Sequence, residues 1–230
     1  YVALIGFGLG VGTGALLLKK GFSLGRTYDT RPASGAVLPV ALAVLFILSV
    51  TAAGLFAFSA EGPGSMHAPA ALALVCGLAF GALAQRSRMC FAGSVRDILL
   101  MKDFTLICVI GGVFVAMLVY NIANGSFQLG FAGQPVAHTE HLWNILGMYV
   151  VGLAAVFAGG CPLRQLILAG QGSSDAAMTC IGMLVGAACA HNFQLASSAD
   201  GTTPGGRVVC VAMIVLLLVI AAACSRRAKN

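Results

Sequence analysis

The chain is 230 residues long, 59% apolar and only 9% charged, with a formal net charge of +6 and a mean hydropathy of +0.96. A soluble domain carries about a quarter charged residues, so a water-soluble fold is excluded. The apolar runs are continuous rather than alternating, which excludes a membrane β-barrel. What remains is an all-α integral membrane protein, a single transmembrane domain over residues 1–230 with about seven transmembrane helices.

The first predicted span, 2–18, carries Gly6, Gly10 and Gly14 at a spacing of four, a flat face for close helix packing in a membrane. Its Gly10-Val11-Gly12-Thr13-Gly14-Ala15 also meets a dinucleotide-binding pattern, but no strand precedes it and no acidic residue follows at the required distance. Tyr1 is not an initiator methionine and no signal-peptide lead is visible, so the N-terminus is expected to be truncated or completed by another segment. A charged linker covers 19–35, with Arg31-Pro32 expected to mark a helix stop. Span 36–58, a Gly/Pro/Ser-rich connector at 59–68 and span 69–84 lead to a polar run from Gln85 to Asp97. Spans 104–123 and 142–158 follow, then a second polar run from Gly159 to Leu166, span 176–196, a connector at 197–206 and span 207–224.

If the spans alternate strictly, one set of loops collects twelve basic residues, and the other holds only Arg207 beside Glu61, Glu140 and Asp200. That asymmetry puts the basic loops and the C-terminus on the cytoplasmic side. It accounts for the positive charge through topology and anionic lipid, with no nucleic acid partner. It accounts less well for Arg88, Arg96 and Arg164, which sit inside the polar runs. The eight cysteines form no secreted disulfide framework. Six of them, Cys76, Cys108, Cys180, Cys189, Cys210 and Cys224, lie within apolar spans and read as small packing residues.

The other two cysteines define the candidate site. Cys90 stands in Gln85-Arg86-Ser87-Arg88-Met89-Cys90-Phe91-Ala92-Gly93-Ser94-Val95-Arg96-Asp97, and Cys161 in Gly159-Gly160-Cys161-Pro162-Leu163-Arg164-Gln165. Pro162 suits the first position of a helix, so a short helix is predicted over 163–169 with Cys161 at its N-cap and Gly159 and Gly160 letting the backbone bend. A second short helix is predicted over 91–101, beginning at Cys90. Helix N-termini offer free amides and positive potential to anions, and the same field, with an arginine close by, favours thiolate. The candidate substrate-binding and pore residues are therefore Cys90, Cys161, Arg88, Arg96, Arg164, Gln85, Gln165, Gly159 and Gly160. The chemistry suits a sulfur- or selenium-containing anion.

A weak internal repeat supports the pairing. Residues 69–123 and 142–196 each read apolar span, cysteine motif, apolar span; Gly81 and Gly152 lie nine residues before their cysteines, and Asp103 and Asp175 open the following spans. By hydropathy the units run the same way through the membrane, while a half-span within 124–141 would make them inverted. Repeats with a broken helix in each recur in transporters. Other roles for the cysteines compete. Neither has a cysteine or histidine within four residues, which leaves no metal site, and no cofactor motif is present. A redox disulfide between the two, or plain packing, stays open.

The two motifs, with Leu-Gly-Arg-Thr-Tyr at 24–28 and Leu-Ala-Gly-Gln-Gly at 168–172, resemble the YeeE/YedE family of membrane transporters over about residues 20–195, most closely its YedE-type selenium transporters. The resemblance implies a multi-pass protein of the bacterial inner membrane that takes up thiosulfate or a related sulfur or selenium compound. It implies two related halves with short re-entrant helices following the cysteine motifs. It also implies pore cysteines, here Cys90 and Cys161, that pass the anion along by thiol hydrogen bonds. Small TusA-like sulfur carriers become candidate cytoplasmic partners. Relatives of this kind have a further cysteine-bearing stretch before the region matching Tyr1, so a homo-oligomer or a second chain is a candidate source of a missing pore wall.

The expected function is thus a permease for a small sulfur or selenium anion rather than an enzyme. The alternatives are a membrane thiol–disulfide redox protein, or a non-transporting scaffold or channel subunit. Asp97, Asp103 and Asp175 are the only acids near the expected path, which gives proton coupling little support.

Overall fold

A computed structural model describes residues 2–24, 31–56, 65, 68–131 and 138–227, the side chains of 226 and 227 excepted. Most of the 24–28 motif, the greater part of the 59–68 connector, His67 and residues 132–137 of the 124–141 segment lie outside the described residues. The described residues form nine α-helices and one 3-10 turn: α1 Val2–Lys19, α2 Pro32–Thr51, the turn Ala53–Leu55, α3 Ala70–Arg86, α4 Phe91–Met101, α5 Thr105–Ala123, α6 His141–Phe157, α7 Pro162–Gly170, α8 Ser174–Asn192 and α9 Pro204–Arg227. The only extended pairing among them is an isolated bridge between Ser198 and Gly201.

Six helical stretches among the described residues are long and apolar enough to cross a membrane, and the protein is an all-α membrane protein. Four of them are α1, α2, α5 and the greater part of α9. The other two are broken helices: Ala70–Met101, interrupted between Arg86 and Phe91, and His141–Gly170, interrupted between Phe157 and Pro162. The remaining expected span, at 176–196, does form the 19-residue helix α8, but it is not among the six. Its Asp175, Thr179, His191 and Asn192 dilute the apolar run.

The local sequence explains where the helices start and stop. Pro32 does not end a helix as expected; it opens α2, with Arg31 in the extended conformation at the N-cap. A proline's missing N–H costs nothing in the first turn, so the same residue that stops a helix elsewhere is well placed here. The Asp103 carboxylate accepts from Thr105 N at 2.9 Å and Thr105 Oγ1 at 2.7 Å, ahead of α5. These two bonds hold the Asp103 carboxyl below its ordinary pKa. Thr203 Oγ1 accepts from Gly206 N at 3.0 Å and caps α9.

The chain forms two compact units. The first comprises Tyr1–Arg26, Met89–Arg164 and Ile181–Asn230; the second comprises Thr27–Arg88 and Gln165–Cys180. In the first unit α1 lies along α6. A Cβ on Gly14 would fall 2.7 Å from Val156 Cβ, one on Gly10 2.9 Å from Leu153 N, and one on Gly152 3.0 Å from Val11 N. A Cβ on Gly6 would collide with the Ile145 carbonyl. The Gly6-Gly10-Gly14 face therefore does pack helix on helix, with Gly152 as its counterpart on α6. Phe22 and Phe157 close one end of this pair, their ring centroids 4.4 Å apart. Beside it lies a small core of Val11, Cys90, Ala92, Ala155, Val156 and Cys161.

Not all of the membrane cysteines pack inside the chain. Cys180 is buried, but Cys76, Cys108 and Cys189 lie exposed on helix faces.

Candidate functional site

Each broken helix restarts on a cysteine. Cys90 is the N-cap of α4, with extended backbone angles, and its Sγ accepts from Gly93 N at 3.2 Å. Cys161 directly precedes Pro162, the first residue of α7. The backbone reverses two residues before each cysteine, through Gly159 with φ +79° and Arg88 with φ +53°. Glycine takes this left-handed conformation freely, whereas for arginine it costs roughly 1 kcal/mol.

The two restarts meet. Phe91 N donates to Cys161 Sγ at 3.4 Å, and Cys161 N donates to Cys90 Sγ at 3.4 Å. The two thiols also hydrogen-bond to each other, and the Arg164 and Ala92 amides bear on the Cys161 sulfur. Both cysteines are buried, at 6% and 2% exposure, and neither is in a disulfide. Two polarizable sulfurs thus sit among converging amide donors at two helix N-termini, in an apolar core. Such a cluster favours an acceptor that is negative and soft.

The remaining expected residues distribute unevenly. Gly159, Gly160, Arg96 and Arg164 belong to the same compact unit as the cysteines, whereas Gln85, Arg88 and Gln165 belong to the other. Gly160 and Gln165 are buried, Gln85, Arg96 and Arg164 half-buried, Arg88 and Gly159 exposed. Two residues were missed as site candidates. Ser94 and Asp97 are buried at 2% and 8% exposure, on the α4 face that also carries Cys90 and Gly93. Polar residues at 90, 94 and 97 follow the spacing of one helix face, a signal already present in the sequence. Ser94 Oγ donates to Phe91 O at 2.7 Å. Asp97 Oδ1 accepts from Arg96 Nε at 2.9 Å, and Arg96 Nη2 lies 2.9 Å from the same oxygen in an ion pair.

Comparison with known proteins adds the family. Residues 86–227, more than half of the chain and including both cysteine motifs, match the sulphur transport family (Sulf_transp). The chain belongs to this YeeE/YedE sulphur transport family. It is 34% identical over 103 residues to the thiosulfate transporter TsuA of Spirochaeta thermophila, a match covering 45% of this chain and 31% of that protein. It is 29% identical over 100 residues to the thiosulfate transporter TsuA of Escherichia coli, covering 43% and 28%. The matched stretch thus spans under a third of either relative. No solved structure matches the chain.

Proposed function

We infer that this chain takes part in carrying a small sulfur-containing anion, thiosulfate in the first instance, into the cell across the bacterial inner membrane. Selenium-containing anions are the nearest alternative cargo. The observation that carries this reading is the meeting of Cys90 and Cys161 at two helix N-termini, with Phe91 N, Gly93 N and Cys161 N directed at sulfur. An incoming terminal sulfur replaces a thiol as acceptor for those amides, while the thiols turn to donate to it. Arg96 and Arg164 supply positive charge in the same unit as the cysteines. The names of the matched relatives, both thiosulfate transporters, support the choice of cargo.

In this reading α4 and α7 are re-entrant and the segments α3–α4–α5 and α6–α7–α8 are two related halves. Their helix lengths support this: 17, 11 and 19 residues against 17, 9 and 19. Twelve basic residues against one in alternating loops support a cytoplasmic C-terminus, where a TusA-like carrier would receive the cargo.

Uptake of labelled thiosulfate, selenite and sulfate into cells tests the reading. Cys90→Ala and Cys161→Ala are each expected to abolish most thiosulfate uptake at near-normal membrane expression, and Cys90→Ser to retain part of it, because a hydroxyl also donates. Wild-type uptake in both alanine variants would show that the thiols do not carry the anion. The hydrogen-bonded thiols also favour one second reading, a thiol–disulfide redox protein. That reading requires a Cys90–Cys161 bond to form in turnover, which trapping of free thiols during uptake would reveal.

A further inference from the structure

Among the buried residues of the described chain, Asp97 is the one that carries a formal charge. It lies on α4 within a stretch long and apolar enough to cross a membrane. Ionisable groups in such positions are costly and are retained where they act. Seven residues separate it from Cys90, about 10 Å along the helix and on the same face.

Its carboxylate bonds and pairs with Arg96, while its backbone carbonyl accepts from Asp103 N at 3.3 Å. Neighbouring positions on a helix point about 100° apart and do not face each other. Arg96 therefore folds across the helix surface to place Nε and Nη2 on one oxygen, Oδ1, and the second oxygen is left out of the pair. The Arg96 side chain keeps 30% of its surface exposed, against 11% for Asp97. α4 packs against α1, α5 and α6. The titratable side chains on those helices are Lys19, Cys108, Tyr120, His141 and Tyr149, with Lys102 and Asp103 at the end of α4; none of them bonds to the Asp97 carboxylate.

We propose that Asp97 is a protonation site that couples anion binding to proton uptake, by holding Arg96 when ionised and releasing it when protonated. With Asp97 ionised, the pair is neutral and a carboxylate stands below the cysteines, where it repels an arriving anion. A proton from water converts the carboxylate to the neutral acid, the ion pair opens, and the guanidinium, which stays charged, is free to face the anion. Anion and proton thereby bind together, and by linkage each raises the affinity for the other. This coupling rests on the reading of the site as a sulfur-anion path.

Titrating the purified protein in weakly buffered detergent solution with sodium thiosulfate, beside a pH indicator, tests it. Wild type is expected to take up roughly one proton per anion bound, with apparent affinity rising toward about tenfold per pH unit as pH is lowered. Asp97→Asn mimics the protonated acid and should bind at high pH as tightly as wild type does at low pH, without proton uptake. Arg96→Gln should bind weakly at every pH. Thiosulfate binding by wild type without proton uptake overturns the proposal whether or not the variants fold, as does proton uptake persisting in Asp97→Asn. No thiosulfate binding by wild type at any pH would instead sink the sulfur-anion reading, and this coupling with it.

Discussion

At Arg88 a single backbone angle carries a cost that can be tested against function. Two residues before Cys161 the chain turns through a glycine, and two residues before Cys90 it makes the corresponding turn through an arginine. A non-glycine residue held there carries strain of roughly 1 kcal/mol or more, and such strain tends to collect where a side chain is needed. Arg88→Gly should therefore raise thermal stability by about 1 kcal/mol while raising the half-saturating thiosulfate concentration. Arg88→Lys should keep both the strain and part of the affinity. A glycine variant that is more stable and transports normally would show that the arginine serves topology alone. The Arg88 conformation was not legible in the sequence, since nothing in Ser87-Arg88-Met89 announces a left-handed residue. The helix restart after Cys161 was legible, because Pro162 and the Gly159-Gly160 pair restrict where a helix can begin, and Cys90 caps α4 as expected. The Arg96–Asp97 pair was hidden for the opposite reason: adjacent helix positions do not normally pair.

At the scale of elements, glycine position decides how closely two helices approach. Gly152 on α6 faces the Phe7 carbonyl and Val11 N of α1, while Gly81 on α3, also nine residues before its cysteine, has nothing within 4 Å of where a Cβ would stand. Alanine favours a helix by about 1 kcal/mol over glycine, but overpacking a close contact costs about 1–3 kcal/mol. Gly81→Ala is thus expected to leave the melting temperature unchanged or higher, and Gly152→Ala to lower it; equal shifts would mean that α1 and α6 are not held by this contact. A second device fixes the start of α6. Glu140 accepts from Thr202 N at 3.0 Å and from Thr202 Oγ1, and pairs with Arg207 Nη2 at 2.6 Å, while the Arg207 guanidinium lies 5.6 Å from the Trp143 ring centre. The Thr202 bonds, with smaller help from Arg207 and His138, hold the Glu140 carboxyl below its ordinary pKa. A lowered carboxylate pKa means stability that is complete above the unfolded value and lost as pH falls through the folded one. The protection of the amides at residues 200–207, taken relative to their intrinsic exchange rates, should accordingly fall in acid, below the usual glutamate range, and Glu140→Gln should remove that step. The glycine face was readable from its spacing of four, whereas the Glu140 cluster joins residues more than sixty positions apart and has no local signature.

The largest gap between sequence and structure is at the scale of the molecule. Each cysteine motif predicts a helix restart by itself, but that Cys90 and Cys161 touch across seventy-one positions depends on how whole helices pack. Apolar periodicity marks a membrane helix without saying which helix lies beside it. Once the contact is known, it sets the selectivity to be expected of the proposed path. A sulfate ion presents four hard oxygens that must give up strongly held water on entering an apolar core, and the thiols and amides there are too few to replace that water. Thiosulfate offers a polarizable terminal sulfur, for which weak thiol donors are adequate partners, and so loses less on entry. Arg96 and Arg164 share the cysteines' compact unit, the acid on the same α4 face, Asp97, is paired with Arg96, and among the described residues no carboxylate cluster stands ready to hold a cation. In reconstituted vesicles unlabelled thiosulfate should therefore displace labelled thiosulfate at least about tenfold more effectively than sulfate, a difference of about 1.4 kcal/mol, and no sodium or potassium current should accompany uptake. Sulfate competing as well as thiosulfate would show that the cysteine pair does not select for soft sulfur, and that the arginines alone define a general anion route.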